Sequence, residues 1–396
     1  MSLNETVSAE RVHIAFFGCR NAGKSSLVNA VTGQRLAVVS DVAGTTTDPV
    51  KKAMELLPLG PVMIVDTPGI DDEGALGALR VEKTNEVLAK TDIAVLVVDS
   101  AAGLRGADRE LIRLITERRL PLIVAWNKCD IARPENLAPN AVAVSAATGE
   151  GVNELKERLA ALGRREEKLI VCDILPENAA VVLVIPVDES APKGRLILPQ
   201  QLVLRELLDH NCTALCCQPN ELPGLLGLMK RPPDLVISDS QAFGPVSKLV
   251  PKDLPLTSFS ILMARFRGEL LSQLEGARTL KELSDGDLVM ISEGCTHHRQ
   301  CRDIGTVKLP GWIEAYSGAK PRFTFTSGGE FPSKLDGIKL IVHCGGCMLT
   351  PTEMHSRAER AQKAGVPMVN YGVAIAAMHG ILQRSLDPIP EAKGRI

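Results

Sequence analysis

Two groups of residues in this chain have the types and the spacing to do chemistry. The first is Gly18-Cys-Arg-Asn-Ala-Gly-Lys24-Ser25, with Asp66-Thr-Pro-Gly69, Asn127-Lys-Cys-Asp130 and Ser145-Ala-Ala147 following at increasing distance. The second is Cys295-Thr-His297, followed by His343-Cys344-Gly-Gly-Cys347. A glycine-framed loop that joins an apolar strand to a helix turns its backbone N–H groups, and the positive end of the helix dipole, toward phosphate oxygens. Thiolates with imidazoles nearby suit soft-metal chemistry. One part of the chain therefore reads as a nucleotide site and another as a metal site.

Within the first group the roles follow from residue type. Lys24 pairs with the β/γ-phosphates and the Ser25 hydroxyl ligates magnesium. Gly18, Gly23 and Ser26 complete the cradle. Asp66 holds the magnesium shell and Gly69 senses the γ-phosphate. Asn127, Lys128, Asp130, Ser145 and Ala146 form a base pocket. The base it selects is guanine, because the Asp130 carboxylate accepts from N1–H and the 2-amino group but would face the N1 lone pair of adenine. These motifs resemble those of TrmE-Era-Era-like small GTPases, and Gly44-Thr45-Thr46-Thr47 resembles their first switch. That resemblance covers residues 12 to 162. It implies GTP and Mg2+ as ligands, Thr46 as a further magnesium ligand, and Lys24, Thr46, Asp66 and Gly69 as the catalytic set. Ile70 stands where Ras-like enzymes carry a water-positioning Gln, so slow intrinsic turnover is expected. Asn21 matches the asparagine that helps hold K+ in potassium-activated relatives; its other reading is a residue that stabilises the loop. Asp71, Asp72 and Glu73 are either water-orienting carboxylates or a solvated switch face. Cys19 and Cys129 read as small packing residues.

In the second group, Cys344 and Cys347 lie between a strand and a helix, with two glycines that let backbone N–H groups approach bound sulfur. Cys295 also follows a strand. If the two strands are parallel neighbours, the three thiols meet at the carboxyl edge of the sheet, where α/β folds bind ligands. Zinc ligands are usually paired with two to four residues between them, whereas Cys295 and His297 are separated by one and His343 and Cys344 are adjacent. Three thiolates with an open fourth position suit a 4Fe-4S cluster at least as well as zinc, and unliganded thiols remain a third reading. His298 and Cys301 read as bystanders. Cys212, Cys216 and Cys217 read as packing, since neighbours in a strand point to opposite faces.

The spacing Cys-x-His, forty-five residues, His-Cys-x-x-Cys, joined to a GTPase domain, resembles the HydF family of FeFe-hydrogenase maturation GTPases. That resemblance covers the whole chain. It implies a 4Fe-4S cluster on Cys295, Cys344 and Cys347, with His297 and His343 as candidates for the fourth ligand. It also implies a scaffold and carrier for the di-iron precursor, with the radical maturation enzymes and apo FeFe-hydrogenase as partners and a homodimer as the assembly. The rival reading is an RNA-directed GTPase with a structural zinc site.

The elements that must position these residues read as α/β throughout, a P-loop GTPase domain followed by two smaller α/β domains. Apolar runs at 12–17, 62–65, 93–98, 122–126 and 142–144 alternate with helical patterns, as in a mostly parallel sheet. A further strand at 51–57 is expected to pair antiparallel through the turn at 58–61. The charged stretch 163–168 reads as a linker. Strands are expected at 181–187, 213–217 and 235–238 with helices at 199–210 and near 221–230, then strands at 288–292, 322–326 and 338–343. Thr350, Pro351 and Glu353 signal a capped helix start. The resulting boundaries are 1–165, 166–264 and 265–396, which the HydF resemblance implies to be the GTP-binding, dimerisation and cluster-binding domains. With 396 residues the chain is long enough for several cores. A net charge of −2, two Trp and two Tyr give neither a basic field nor stacking rings for nucleic acid. No apolar run approaches the ~18 residues that span a bilayer, and the N-terminus is polar, so a cytoplasmic protein is expected. In a reducing compartment the ten cysteines read as thiols and ligands.

Overall fold

The computed structural model describes residues 11–33, 50–69, 84–163, 168–187, 196–294, 304–328, 330–332, 334–346 and 349–395. Thr46, Ile70 to Glu73, Cys295, His297, His298, Cys301 and Cys347 lie outside the described residues. The chain divides into two compact units, 1–166 with 350–353, and 167–349 with 354–396.

The first unit is built on six strands: β1 (Val12–Phe17), β2 (Val50–Leu56), β3 (Gly60–Asp66), β4 (Ile93–Asp99), β5 (Leu122–Asn127) and β6 (Ala141–Ala143). Their order is β2-β3-β1-β4-β5-β6, parallel except for β2, which runs antiparallel to β3 as expected. Both faces of the inner strands are covered, which is why β1 and β4 read as unbroken apolar runs. Successive side chains go to opposite cores. Ile14, Phe16, Val95 and Val97 pack with Leu27 and Val31 of the helix Lys24–Thr32. Ala15, Phe17, Ala94 and Leu96 pack with Leu111 and Ile115 of the helix Gly106–Glu117. At the edge, β2 exposes Lys51, Lys52 and Glu55, charges that discourage pairing with another strand.

The second unit holds two four-stranded parallel sheets. One contains β7 (Ala180–Val184), β8 (Thr213–Cys217), β9 (Leu235–Ser238) and β10 (Leu256–Ser258) in the order β10-β9-β7-β8. The other contains β11 (Leu288–Glu293), β12 (Arg322–Ser327), β13 (Ile338–His343) and β14 (Met368–Asn370) in the order β12-β11-β13-β14. β11 and β13 are thus parallel neighbours, with Ser292 opposite His343. Val182 of the first sheet, Phe259, Leu262 and Leu274 of the intervening helices, and Val289 and Val342 of the second sheet belong to one buried cluster. Strand β7 stops at Val184, short of the expected 187, because Pro186 has no N–H to continue the ladder. The helix Pro351–Lys363 starts as its sequence signals, with the Glu353 N–H donating to Thr350 Oγ1 at 3.1 Å.

Candidate functional site

At the end of β1 the chain turns sharply into the helix Lys24–Thr32. Gly18 has φ +144°, and a Cβ there would lie 2.2 Å from the Val97 carbonyl oxygen of β4. Gly23 has φ +85°, and a Cβ there would lie 2.3 Å from Asn127 Nδ2. Both positions require glycine. Asn21, at φ +63°, takes a left-handed conformation that Asn tolerates better than most residues. Inside this loop Lys24 is 8% exposed, and its Nζ donates to the Gly18 and Cys19 carbonyls at 2.9 Å each. The ammonium is therefore fixed where the loop would wrap a phosphate chain.

Ser25 Oγ donates to Asp66 Oδ2 at 2.6 Å at the carboxyl end of β3. Asp66 Oδ1 is buried with no hydrogen-bond donor among the described residues. Burial pushes the Asp66 carboxyl above its ordinary range, against the opposing effects of the Ser25 hydrogen bond and the Lys24 charge. An orphaned carboxylate oxygen beside a hydroxyl is the hard-oxygen donor set that magnesium takes, so these residues fit that ion. Gly69 completes this side: a Cβ on it would come within 3.2 Å of the Arg20 backbone, so the two loops touch closely there and a side chain would force one of them to shift.

Asn127 ties the 127–130 segment to the phosphate loop and to Ala146. Its Nδ2 donates to the Ala22 carbonyl at 2.9 Å, and its Oδ1 accepts from the Ala146 N–H at 3.0 Å. Lys128 has φ +65° and its Nζ donates to Asp99 Oδ2 at 2.6 Å. Asp130 is exposed in the following turn, which is closed by the Ile131 and Ala132 N–H groups on the Lys128 carbonyl. Ser145 is fully buried, and its Oγ accepts from the Thr148 N–H at 3.1 Å. Lys24, Ser25, Asp66, Gly69 and Asn127 are thereby brought to one edge of the sheet. Cys19 and Cys129 are buried, and Cys19 Sγ also donates to Asp108 Oδ1 at 3.3 Å.

In the second unit, Cys344 follows β13 at the carboxyl edge. Its N–H donates to the Ser292 carbonyl of β11 at 2.8 Å. Its Sγ accepts two backbone N–H groups, Gly294 at 3.0 Å and Gly346 at 3.3 Å. Both donors are tightly placed glycines, since a Cβ on Gly294 would meet Leu349 at 2.7 Å and one on Gly346 would meet Met354 Sδ at 2.6 Å. Two N–H donors on one sulfur favour its anionic, metal-binding form. His343 is almost fully buried. Its Nδ1 donates to the Cys344 carbonyl at 2.7 Å, and its Nε2 accepts from Arg357 Nη1 at 3.1 Å. Carbonyls only accept and guanidinium only donates, which sets the tautomer. Burial lowers the His343 pKa to about 3, so the ring is neutral. Ligation of a metal by His343 would require the ring to give up one of these two partners. No group of three or more His, Cys, Asp and Glu side chains converges on a metal position among the described residues.

Sequence reasoning missed Gly294, Arg357 and Arg267. Arg267 donates from Nη1 to the Gly345 carbonyl at 2.5 Å and from Nη2 to the Gly346 carbonyl at 3.0 Å. Gly294 precedes Cys295 and so carried a local signal, but nothing near Arg267 in the sequence pointed to a loop 78 residues away.

Residues 169–268 match the family described as Hydrogen maturase F dimerization domain, and residues 271–388 match the Hydrogen maturase F tetramerization domain. The chain belongs to the hydrogen maturase F family. Residues 13–128 match the 50S ribosome-binding GTPase family, so the first unit of this maturase-family chain is a GTPase domain. Similar curated proteins are the tRNA modification GTPase MnmE of a Synechococcus strain, 39% identical over 154 residues, which are 37% of this chain and 33% of that protein. GTPase Der of Wolinella succinogenes is 36% identical over 166 residues, which are 37% of this chain and 35% of that protein. The chain spans about a third of the length of these curated relatives. A solved structure of Era from Aquifex aeolicus aligns with 55% of this chain and 98% of that chain at 20% identity, with a TM-score of 0.36. Both maturase segments are named for self-association, and the tetramerization segment holds β11 to β14 and Cys344. No described helix is long and apolar enough to cross a membrane.

Proposed function

We propose that this chain hydrolyses GTP in its first unit and holds a 4Fe-4S cluster in its second, as a scaffold in FeFe-hydrogenase maturation. In this reading Lys24 binds the β/γ-phosphates, while Ser25, Thr46 and Asp66 hold magnesium. Gly69 reports the γ-phosphate, and Asp130 selects guanine. Cys295, Cys344 and Cys347 hold three iron corners, and His297 or His343 neighbours the fourth. When bound, the cluster supplies an iron site open to a bridging ligand from the di-iron precursor. The domains are those bounded at 165 and 264, and the assembly is a cytoplasmic homodimer. Its partners are the radical maturation enzymes and apo FeFe-hydrogenase, with GTP hydrolysis controlling assembly, partner docking or release.

The observation that carries the cluster reading is Cys344 Sγ, which receives two backbone N–H groups at the carboxyl edge of β13, next to β11, whose end at Glu293 is two residues before Cys295 in the sequence. Anaerobically purified protein is expected to show a broad charge-transfer band in the visible, with iron and sulfide in equal amounts. Cys344→Ser should lose most of it, because two thiolates are left for a cube that normally has three or four protein anchors. A colourless protein carrying stoichiometric zinc would sink this reading in favour of the zinc-bearing, RNA-directed alternative.

Potassium activation is expected from Asn21, which takes a left-handed conformation in the phosphate loop, together with the Ile70 of the sequence where Ras-like enzymes carry a Gln. GTP hydrolysis should rise about tenfold or more when potassium replaces sodium at equal ionic strength, as for a cation doing the work of an arginine finger. Asn21→Ala should erase the difference. Equal rates in the two salts would leave Asn21 as a loop-stabilising residue.

A further inference from the structure

The Cys344-Gly345-Gly346 turn is held from outside its own segment. Arg267 follows the helix Phe259–Phe266 and lies inside the matched dimerization segment, which ends at 268. The turn it grips lies in the tetramerization segment. Each arm of the guanidinium takes one carbonyl, Gly345 at 2.5 Å and Gly346 at 3.0 Å. The Gly345 carbonyl and the Gly346 N–H belong to the same planar peptide and point in opposite directions. A donor that fixes the carbonyl oxygen on one side therefore fixes the N–H on the other, and that N–H is the one donating to Cys344 Sγ at 3.3 Å. The cation also polarises the peptide, which makes its N–H a stronger donor. Gly346, at φ +60° with Arg267 Nη1 3.0 Å from where a Cβ would sit, leaves room for this arrangement only as glycine.

We propose that Arg267 is a positioning residue for the metal site: through the Gly345–Gly346 peptide it sets the strength of one hydrogen bond to the Cys344 sulfur, and so the reduction potential of the bound cluster. The inference rests on the cluster reading above. An N–H donated to a cluster sulfur stabilises the reduced, more negative state, so a weakened bond makes reduction harder. The Gly294 N–H, at 3.0 Å, comes from the residue just after β11, away from the peptide that Arg267 grips. Loss of the arginine should therefore shift the potential while the cluster stays in place.

The test compares full-length wild type, Arg267→Met and Arg267→Lys, purified anaerobically, by iron and sulfide content, spectroelectrochemical titration and electron paramagnetic resonance of the reduced state. Met keeps the aliphatic stem without its donors, and Lys restores one charged donor. Arg267→Met should keep wild-type iron while its equilibrium constant for reduction falls about tenfold, which is 59 mV for a one-electron couple. Arg267→Lys should lie between the two. GTP hydrolysis should be the same in all three. If Arg267→Met fails to retain iron, Arg267→Lys decides alone: a shifted potential supports the role and a wild-type value overturns it. Wild-type potentials in both variants overturn the role of Arg267 and leave the cluster reading standing. Absence of iron from the wild type overturns that reading and this inference with it.

Discussion

Asp130→Asn is expected to turn a GTP-selective site into one that prefers xanthosine nucleotides. In the proposed pocket the carboxylate would accept from two guanine donors at once, and charge-assisted bonds of this kind are worth about 1.5–3 kcal/mol each. An amide offers one acceptor and one donor. It repels the guanine 2-amino group but donates to the keto oxygen that replaces it in xanthine. GTP affinity should therefore fall by roughly 10²–10⁴ while xanthosine triphosphate becomes the tighter ligand. The surrounding frame should survive the change. Asp130 is exposed and its turn is closed by backbone bonds to Lys128, while the buried Asn127 anchors the segment to Ala22 and Ala146. Competition between labelled GTP and xanthosine triphosphate measures the switch, and an unchanged GTP preference would defeat the pocket assignment.

The second large effect is at Lys24. Its ammonium sits at the centre of the loop, held by the Gly18 and Cys19 carbonyls. Lys24→Ala takes away the buried ammonium proposed to meet the β/γ-phosphates, and no backbone N–H carries a full charge to replace it. Removing a preorganised electrostatic donor of this kind costs roughly 10²–10³ in turnover. Single-turnover GTP hydrolysis should show that loss. Iron content and visible absorbance should match the wild type, because Cys344 lies in the other compact unit. Turnover within a few-fold of wild type would remove Lys24 from its assigned role.

How legible each part was depends on the range of the interactions that build it. β4 announced itself because a strand covered on both faces is a continuous apolar run, and Ile93 to Val98 is one. The phosphate loop was legible because Gly18, Gly23, Lys24 and Ser25 act within eight residues of one another. β10 and β14 were missed because three residues are too few to show a period. The helix Tyr371–Met378 was missed for a different reason: Gly372 to Ala377 are all buried, so it has no polar face to give a 3.6-residue rhythm. In the second unit the sulfur of Cys344 was foreseeable from its own motif. The Arg267 fork that shapes its turn depends on tertiary packing and left no local trace. Nor did the sequence show that His343 has both ring nitrogens engaged, since Arg357 reaches it from a neighbouring helix.

Because β7–β10 and β11–β14 contribute to one shared buried cluster, the two maturase segments form one packed block although two family descriptions cover them. A chain cut near Gly268 would bare Phe259 and Leu262 on one fragment and Leu274 and Val289 on the other. Each square ångström of apolar surface so exposed costs about 25 cal/mol, and the second fragment would keep only the smaller core around Met290, Phe331 and Ile341 intact. Exchange of the self-association segment alone between relatives is therefore mechanically disfavoured.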